Sequence, residues 1–312
     1  MHTAQSNAIK GNESWPHPKA FSSIAYAVGG IRFGLTAQSG MQLALDSELR
    51  AFACSTESCD VNLQVSWTDS LEAPRSTPLF HSGGLWTLFA ETTGYRFSFL
   101  SSLLGKTPYK EAWFDSEFRS GRVLLSRRYF DTDQPVYPLE YPLDEVLMIH
   151  RLSRGEGVEV HAVGIAGEDG RGHLFLGHSG AGKSTTARLW SGRPGAKILS
   201  DDRIILSRNA AGELRMHGTP WHGEARLALP ISAPLSGVYF LEHGARNELE
   251  PMEQGCATAE LLARCFLPFH DAEALGFAVE FLAGLPEVPH SIFRFLPDGT
   301  AIRMFERDAR AA

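Results

Sequence analysis

The sequence predicts an α/β (α+β) fold, in which a smaller β-rich domain precedes one built on a strand, a glycine-laced loop and a helix. Three observations carry the prediction. In residues 173–190 an apolar run, a Gly-rich turn and a helix-forming stretch follow one another without a gap. Between Phe21 and about Phe130, short runs alternate apolar with polar residues, as half-buried strands do. Beyond residue 142, runs of helical period are interleaved with strand-like runs.

Residues 1–20 hold Asn, Ser, Gly, two Pro and little apolar material, and are expected to form a flexible arm. In residues 21–141 the stretches beginning at Ile31, Val61 and Tyr95 have the period of strands, and Ser82-Gly-Gly and Ser120-Gly mark turns. Those beginning at Tyr109 and Arg122 read as strands with an aromatic inner face. After Pro142, apolar residues at 143, 146 and 147 with acids in the first turn predict a helix ending near Gly155. The domain boundary is placed at 142, so that residues 142–312 form the second domain. Within it, residues 158–166 and the strand before the glycine loop pair as a hairpin across the turn at Glu168-Asp-Gly-Arg-Gly. Residues 197–206 give an apolar strand broken by two acids. Further strands are expected at 213–217 and 237–242, helices at 257–266 and 271–284, the latter capped by Asp271, and closing strands at 291–295 and 301–305.

The glycine loop is a complete phosphate-binding motif. Gly177, Gly182, Lys183 and Ser184 fill G-x-x-x-x-G-K-[ST] after the apolar run Leu174-Phe175-Leu176. Glycines permit positive φ, so successive N–H groups can converge on a polyphosphate at a helix start. Gly177, Ser179, Gly180, Ala181, Gly182, Lys183, Ser184 and Thr185 are therefore the expected nucleotide-binding residues. Lys183 would neutralise the β- and γ-phosphates, Ser184 would hold Mg²⁺, and Thr185 would reach the α- or β-phosphate.

Composition narrows the class. A chain of 312 residues with 43% hydrophobic and 21% charged residues has the make-up of a globular protein of two cores. Its net charge of −7 and the lack of a basic run beyond Arg127-Arg128 argue against a nucleic-acid or membrane surface. Neither an export signal nor a membrane span is expected, and a cytoplasmic location follows. Cys54, Cys59, Cys256 and Cys265 do not have zinc-site spacing and are read as free thiols.

A phosphate loop needs an acidic partner to hold Mg²⁺ and orient a nucleophile. Asp201 and Asp202 follow the apolar Ile198-Leu199, eighteen residues after Lys183, room for one helix and a return strand. That short spacing favours a compact kinase. Adjacent carboxylates on a strand face opposite sides, so the two are expected to divide metal and proton between them. His161, on the strand leading to the loop, is a further candidate, although a lone His on such a strand is more often a core residue.

His161, the 177–185 loop and Asp201-Asp202 occur in the order and near the spacing of the bacterial kinase/phosphorylase of the phosphocarrier HPr, a fold whose core is shared with ATP-dependent phosphoenolpyruvate carboxykinase. Over residues 142–300 the chain resembles HPr-kinase-related proteins, whose pattern Gly-Thr-Pro-Trp-His-Gly-Glu stands at 218–224. Some of that group resemble serine kinases of lasso-peptide precursors. The resemblance implies ATP-dependent transfer to a serine hydroxyl, with Asp201 as general base, Asp202 and Ser184 on Mg²⁺, and His161 beside the γ-phosphate. It also implies Glu224 as a metal ligand and Arg226 as a transition-state cation, in a loop that departs from the HPr-kinase pattern.

The acceptor is expected to be a serine in a protein or peptide, an HPr-like carrier or a ribosomal peptide precursor, presented by the first domain. A nucleotide-gated module without turnover and a small-molecule kinase are the alternatives. HPr kinases are oligomeric, and the residues here do not by themselves give an oligomeric state.

Overall fold

The structure, a computed structural model, describes residues 21–308 except Ala73, Arg75, Lys106, Pro286 and Glu287. The arm expected at 1–20 lies outside the described residues. The fold is mixed α/β, with two large sheets and few helices.

The first sheet comprises β1 (Ser23–Val28), β2 (Ile31–Ala37), β3 (Val61–Thr68), β4 (Phe80–His81), β5 (Trp86–Glu91), β6 (Gly94–Phe99), β7 (Lys110–Asp115) and β8 (Ser120–Ser126). Their spatial order is β1-β2-β3-β8-β7-β6-β5-β4. β3 is parallel to both β2 and β8, and the other pairs are antiparallel. Alternation fixes the register: Val61, Leu63, Val65 and Trp67 of β3 turn inward while Asn62 and Gln64 face solvent. The helix α1 (Leu143–Leu152) lays Leu143, Val146, Leu147 and Leu152 into the core of this first sheet.

The second sheet begins with β9 (Val158–Ala166) and β10 (Gly172–Leu176), a hairpin as its sequence predicts. There follow α2 (Lys183–Ser191), β11 (Lys197–Ser200), β12 (Arg203–Arg208), β13 (Leu214–Gly218) and the long β14 (Ser232–His243). The chain ends with β15 (Glu248–Pro251), α3 (Gln254–Leu262), β16 (Cys265–Phe266), α4 (Ala272–Ala283), β17 (His290–Phe295) and α5 (Arg303–Asp308). Two long strands organise this layer. The first half of β9 pairs with β12 and its second half with β10, while β14 pairs with β13 at its start and with β10 and β17 in parallel beyond. The loop between β10 and α2 thus opens at the carboxyl end of a strand gripped on both edges.

Two elements differ from expectation. The helix expected at 257–266 stops at Leu262, and Cys265-Phe266 instead pairs with Val160 and Glu159. The backbone groups of β9 at that edge need partners, and a second strand supplies them where a longer helix would not. Residues 301–305 alternate like a strand, yet α5 starts at Arg303. Both edges of β17 are already taken by β14 and β15, so no edge is left there for another strand. Phe305 instead packs edge-on against Tyr239 and Phe293.

The two layers interlock. Ile205 of β12, fully buried, belongs to the first core, and Trp221 packs against that core as well. Arg203 at the start of β12 reaches Glu145 of α1 at 2.7 Å, and Trp221 Nε1 donates to Asp144 at 3.1 Å.

Candidate active site

The strand before the loop is buried throughout, with Leu174, Phe175 and Leu176 fully inaccessible. Gly180 and Gly182 take φ of +83° and +105°, left-handed values that a side chain resists. At Gly182 a Cβ would also stand 2.6 Å from the Phe295 ring. Ser179 and Gly180 are exposed, Ala181 is buried, and Ser184 and Thr185 are half-buried in the first turn of α2. Lys183 folds back over the loop, its Nζ donating to the carbonyls of Gly177 at 2.8 Å and His178 at 3.2 Å. Burial pulls the lysine below its ordinary pKa; the charge of Asp202 opposes that shift and the charge of Arg264 adds to it.

The acid pair sits at the bend between β11 and β12, and its two members face apart. Asp201 is buried and accepts three backbone N–H groups, from Gly223 at 3.0 Å, Ala225 at 2.9 Å and Leu227 at 3.3 Å. Its carboxylate is the anchor of the 219–231 loop. Gly223 makes the approach feasible, since a Cβ there would stand 3.0 Å from Asp201 Oδ2.

Asp202 faces the other way. His161 Nδ1 lies 3.1 Å from its Oδ1, and the Arg203 guanidinium pairs with its Oδ2. Burial raises the Asp202 carboxyl, but the His161 hydrogen bond and the charges of Arg203 and Lys183 outweigh it and hold its pKa below the usual aspartate value. Asp202 is thus ionised at neutral pH and is the acid whose charge reaches Lys183.

The structure therefore brings Asp202 and His161 into contact, with Lys183 within electrostatic range of Asp202. Glu224 and Arg226 are exposed on the 219–231 loop, Arg226 with φ of +53°, and neither is tied to Lys183 or Asp202. Among the described residues no group of three or more His, Cys, Asp and Glu side chains is placed to hold a metal ion. A phosphate-bound Mg²⁺ needs no such cage, because it keeps several waters and takes few protein ligands.

Four residues that the sequence did not single out complete the site. Arg203 gathers Glu145 at 2.7 Å, Glu159 at 3.6 Å and Asp202, and stacks on the Phe266 ring at 4.1 Å. Glu159 is fully buried; burial first and then its neighbour Glu145 raise its pKa well above the carboxylate range, so it carries a proton. Glu145 comes from α1. Arg264, held by Glu260 at 2.5 Å, lies 3.4 Å from His178 of the phosphate loop. Only position offered a signal in the sequence: Arg203 follows the acid pair directly, and Glu159 interrupts an apolar strand.

Between the two layers a cleft of about 280 Å³ opens beside Asp202 and Arg203. All four cysteines are unpaired. No helix among the described residues is long and apolar enough to cross a membrane.

No known family model matches the chain. No curated protein matches it. Among solved structures it is similar to the HPr(Ser) kinase/phosphatase from Coxiella burnetii, at 14% identity and a TM-score of 0.28 over 49% of this chain and 96% of that one.

Proposed function

We propose that the chain is an ATP- and Mg²⁺-dependent kinase that transfers the γ-phosphoryl group to a serine hydroxyl of a protein or peptide. One observation supports this reading: Asp202 lies within electrostatic range of Lys183 in the glycine loop and also lines the cleft. A module that only binds nucleotide has no need of an ionised acid at that junction.

The loop fits a polyphosphate. Its left-handed glycines and the buried ammonium of Lys183, which bonds only to loop carbonyls among the described residues, form a cradle for negative charge. Ser184 would hold Mg²⁺, which neutralises phosphate charge when bound. Asp202 orients the acceptor hydroxyl and takes its proton as the serine oxygen bonds to the γ-phosphorus. The bridging bond to the β-phosphate breaks, and its electron pair leaves with ADP. His161 and Arg203 keep the acid ionised and fixed, and Arg264 adds positive charge beside the loop. Positioning and charge neutralisation supply the catalysis, because the loose phosphoryl transition state asks little covalent chemistry of the protein.

The test is incubation with γ-labelled ATP, Mg²⁺ and a set of serine acceptors that includes HPr and ribosomal precursor peptides. Label on a serine, lost in Lys183→Ala together with nucleotide binding, is the expected result. Nucleotide binding with no transfer to any acceptor would favour a nucleotide-gated binding module instead.

A further inference from the structure

The cleft beside Asp202 has a chemical bias. Its floor holds Asp144 and Glu145 from α1, its rim holds Asp46 and Glu48, and the aromatic side chains of Tyr141 and Trp221 form part of its walls. With Asp202, five acidic side chains line the cleft against one guanidinium, that of Arg203, which Glu145 and Asp202 already engage, and the imidazole of His222. Burial pushes Asp144 up to about 7, so the charge on the acidic side lies mainly with the other four. At the rim, Ser47 donates its hydroxyl within 2.6 Å of Glu48 Oε2 and 3.3 Å of Asp46 Oδ1, drawing both exposed carboxylates toward one point. Among the described residues no lysine or arginine pairs with either of them.

A concave space whose lining charge is mostly of one sign favours an incoming group of the opposite sign. Exposed aromatic faces add cation–π attraction, and Tyr141 is 65% exposed. The space is smaller than most ligand pockets, which run from about 300 to 1,000 Å³. It suits one long side chain rather than a folded partner. An acidic neighbour to the serine would meet repulsion from the rim.

We propose that this cleft is the acceptor site and that it selects a serine with an arginine or lysine close by in its sequence. The proposal rests on the kinase reading above. Asp46 and Glu48 set the preference, because they are exposed, paired with no lysine or arginine among the described residues and placed at the mouth, where His222 is the nearby basic group. Asp144 and Glu145, tied to Trp221 and Arg203, shape the floor.

The test is a panel of short serine peptides with arginine, alanine or glutamate on either side, assayed with γ-labelled ATP and Mg²⁺. Peptides flanked by arginine are expected to show a KM lower than their alanine counterparts by roughly 3- to 10-fold, the worth of one or two exposed ion pairs, and glutamate peptides the highest KM. In the double variant Asp46→Asn, Glu48→Gln the arginine advantage should fall to within about 2-fold, with unchanged nucleotide affinity and thermal midpoint as the controls for folding. Equal KM values across the panel, or an arginine advantage that survives the double variant, overturn the proposal and leave the kinase reading standing. No label on these peptides while HPr or a precursor peptide is labelled overturns the proposal alone; ATP binding with no label on any acceptor removes both.

Discussion

The imidazole of His161 and the carboxylate of Asp202, 41 residues apart in the chain, meet at 3.1 Å across the pairing of β9 with the bend before β12. That contact, with Arg203 on the second carboxylate oxygen, fixes Asp202, while its neighbour Asp201 is turned to the 219–231 loop.

Asp202→Asn keeps the shape of the side chain and removes its charge. Phosphoryl transfer should fall by about 10²- to 10⁴-fold in kcat, the range for loss of a positioned base. Nucleotide affinity, measured by calorimetry, should change by less than about 5-fold, since the loop amides and Lys183 are untouched.

Asp201 makes a different prediction. Asp201→Ala strips three N–H groups of a charged acceptor inside the protein, and a hydrogen bond to a charged group contributes about 1.5–3 kcal/mol. The urea midpoint should fall by the equivalent of roughly 3 kcal/mol, and the 219–231 loop should become the first site of proteolysis. Wild-type stability in this variant would mean that the anchor carries no weight.

Two arginines compete for the role of cation at the transferring phosphate. Arg264 lies against the phosphate loop, whereas Arg226 is exposed. Arg264→Gln is expected to lower kcat by about 10²-fold, as loss of one preorganised donor does. Arg226→Gln is expected to stay within about 3-fold of wild type under the same assay. The reverse order would return the role to the 219–231 loop.

Stability should have two opposed pH limbs. Burial pushes the His150 pKa down to about 3. The unfolded chain then takes up that proton first, so the stabilisation is present above about pH 6.5 and is lost as pH falls toward 3. Burial pushes Asp144 up to about 7. Its folded form holds a proton that the unfolded chain releases near pH 3.9, so its contribution is full below that value and is lost as pH rises to 7, by roughly 4 kcal/mol. Asp144→Asn should flatten the stability profile between about pH 4 and 7, as read from urea midpoints at each pH.

Much of this architecture is legible in the residues because it is local. The run into Gly177 and the capped helix after Asp271 are fixed by neighbours a few positions away, and Asp271 does accept from the N–H groups of Glu273 and Ala274. What stayed hidden depends on distant partners. The division of labour between Asp201 and Asp202 is decided by amides 22 to 26 positions on and by His161, none of which alternation along one strand can reveal. Arg203 reads as an ordinary strand residue until Glu145, 58 positions earlier, is seen beside it. The helix expected to run to Phe266 fails for the same reason, because a pairing edge on β9 outranks local periodicity.

The reach of Arg203 to Glu145, with Ile205 seated in the first core, bears on modularity. A gene fragment encoding residues from 142 onward would leave Ile205 and the apolar flank of α1 facing water and the cleft without its rim. The two layers therefore behave as a unit, and recombination that moves the second onto another partner domain would have to rebuild this seam.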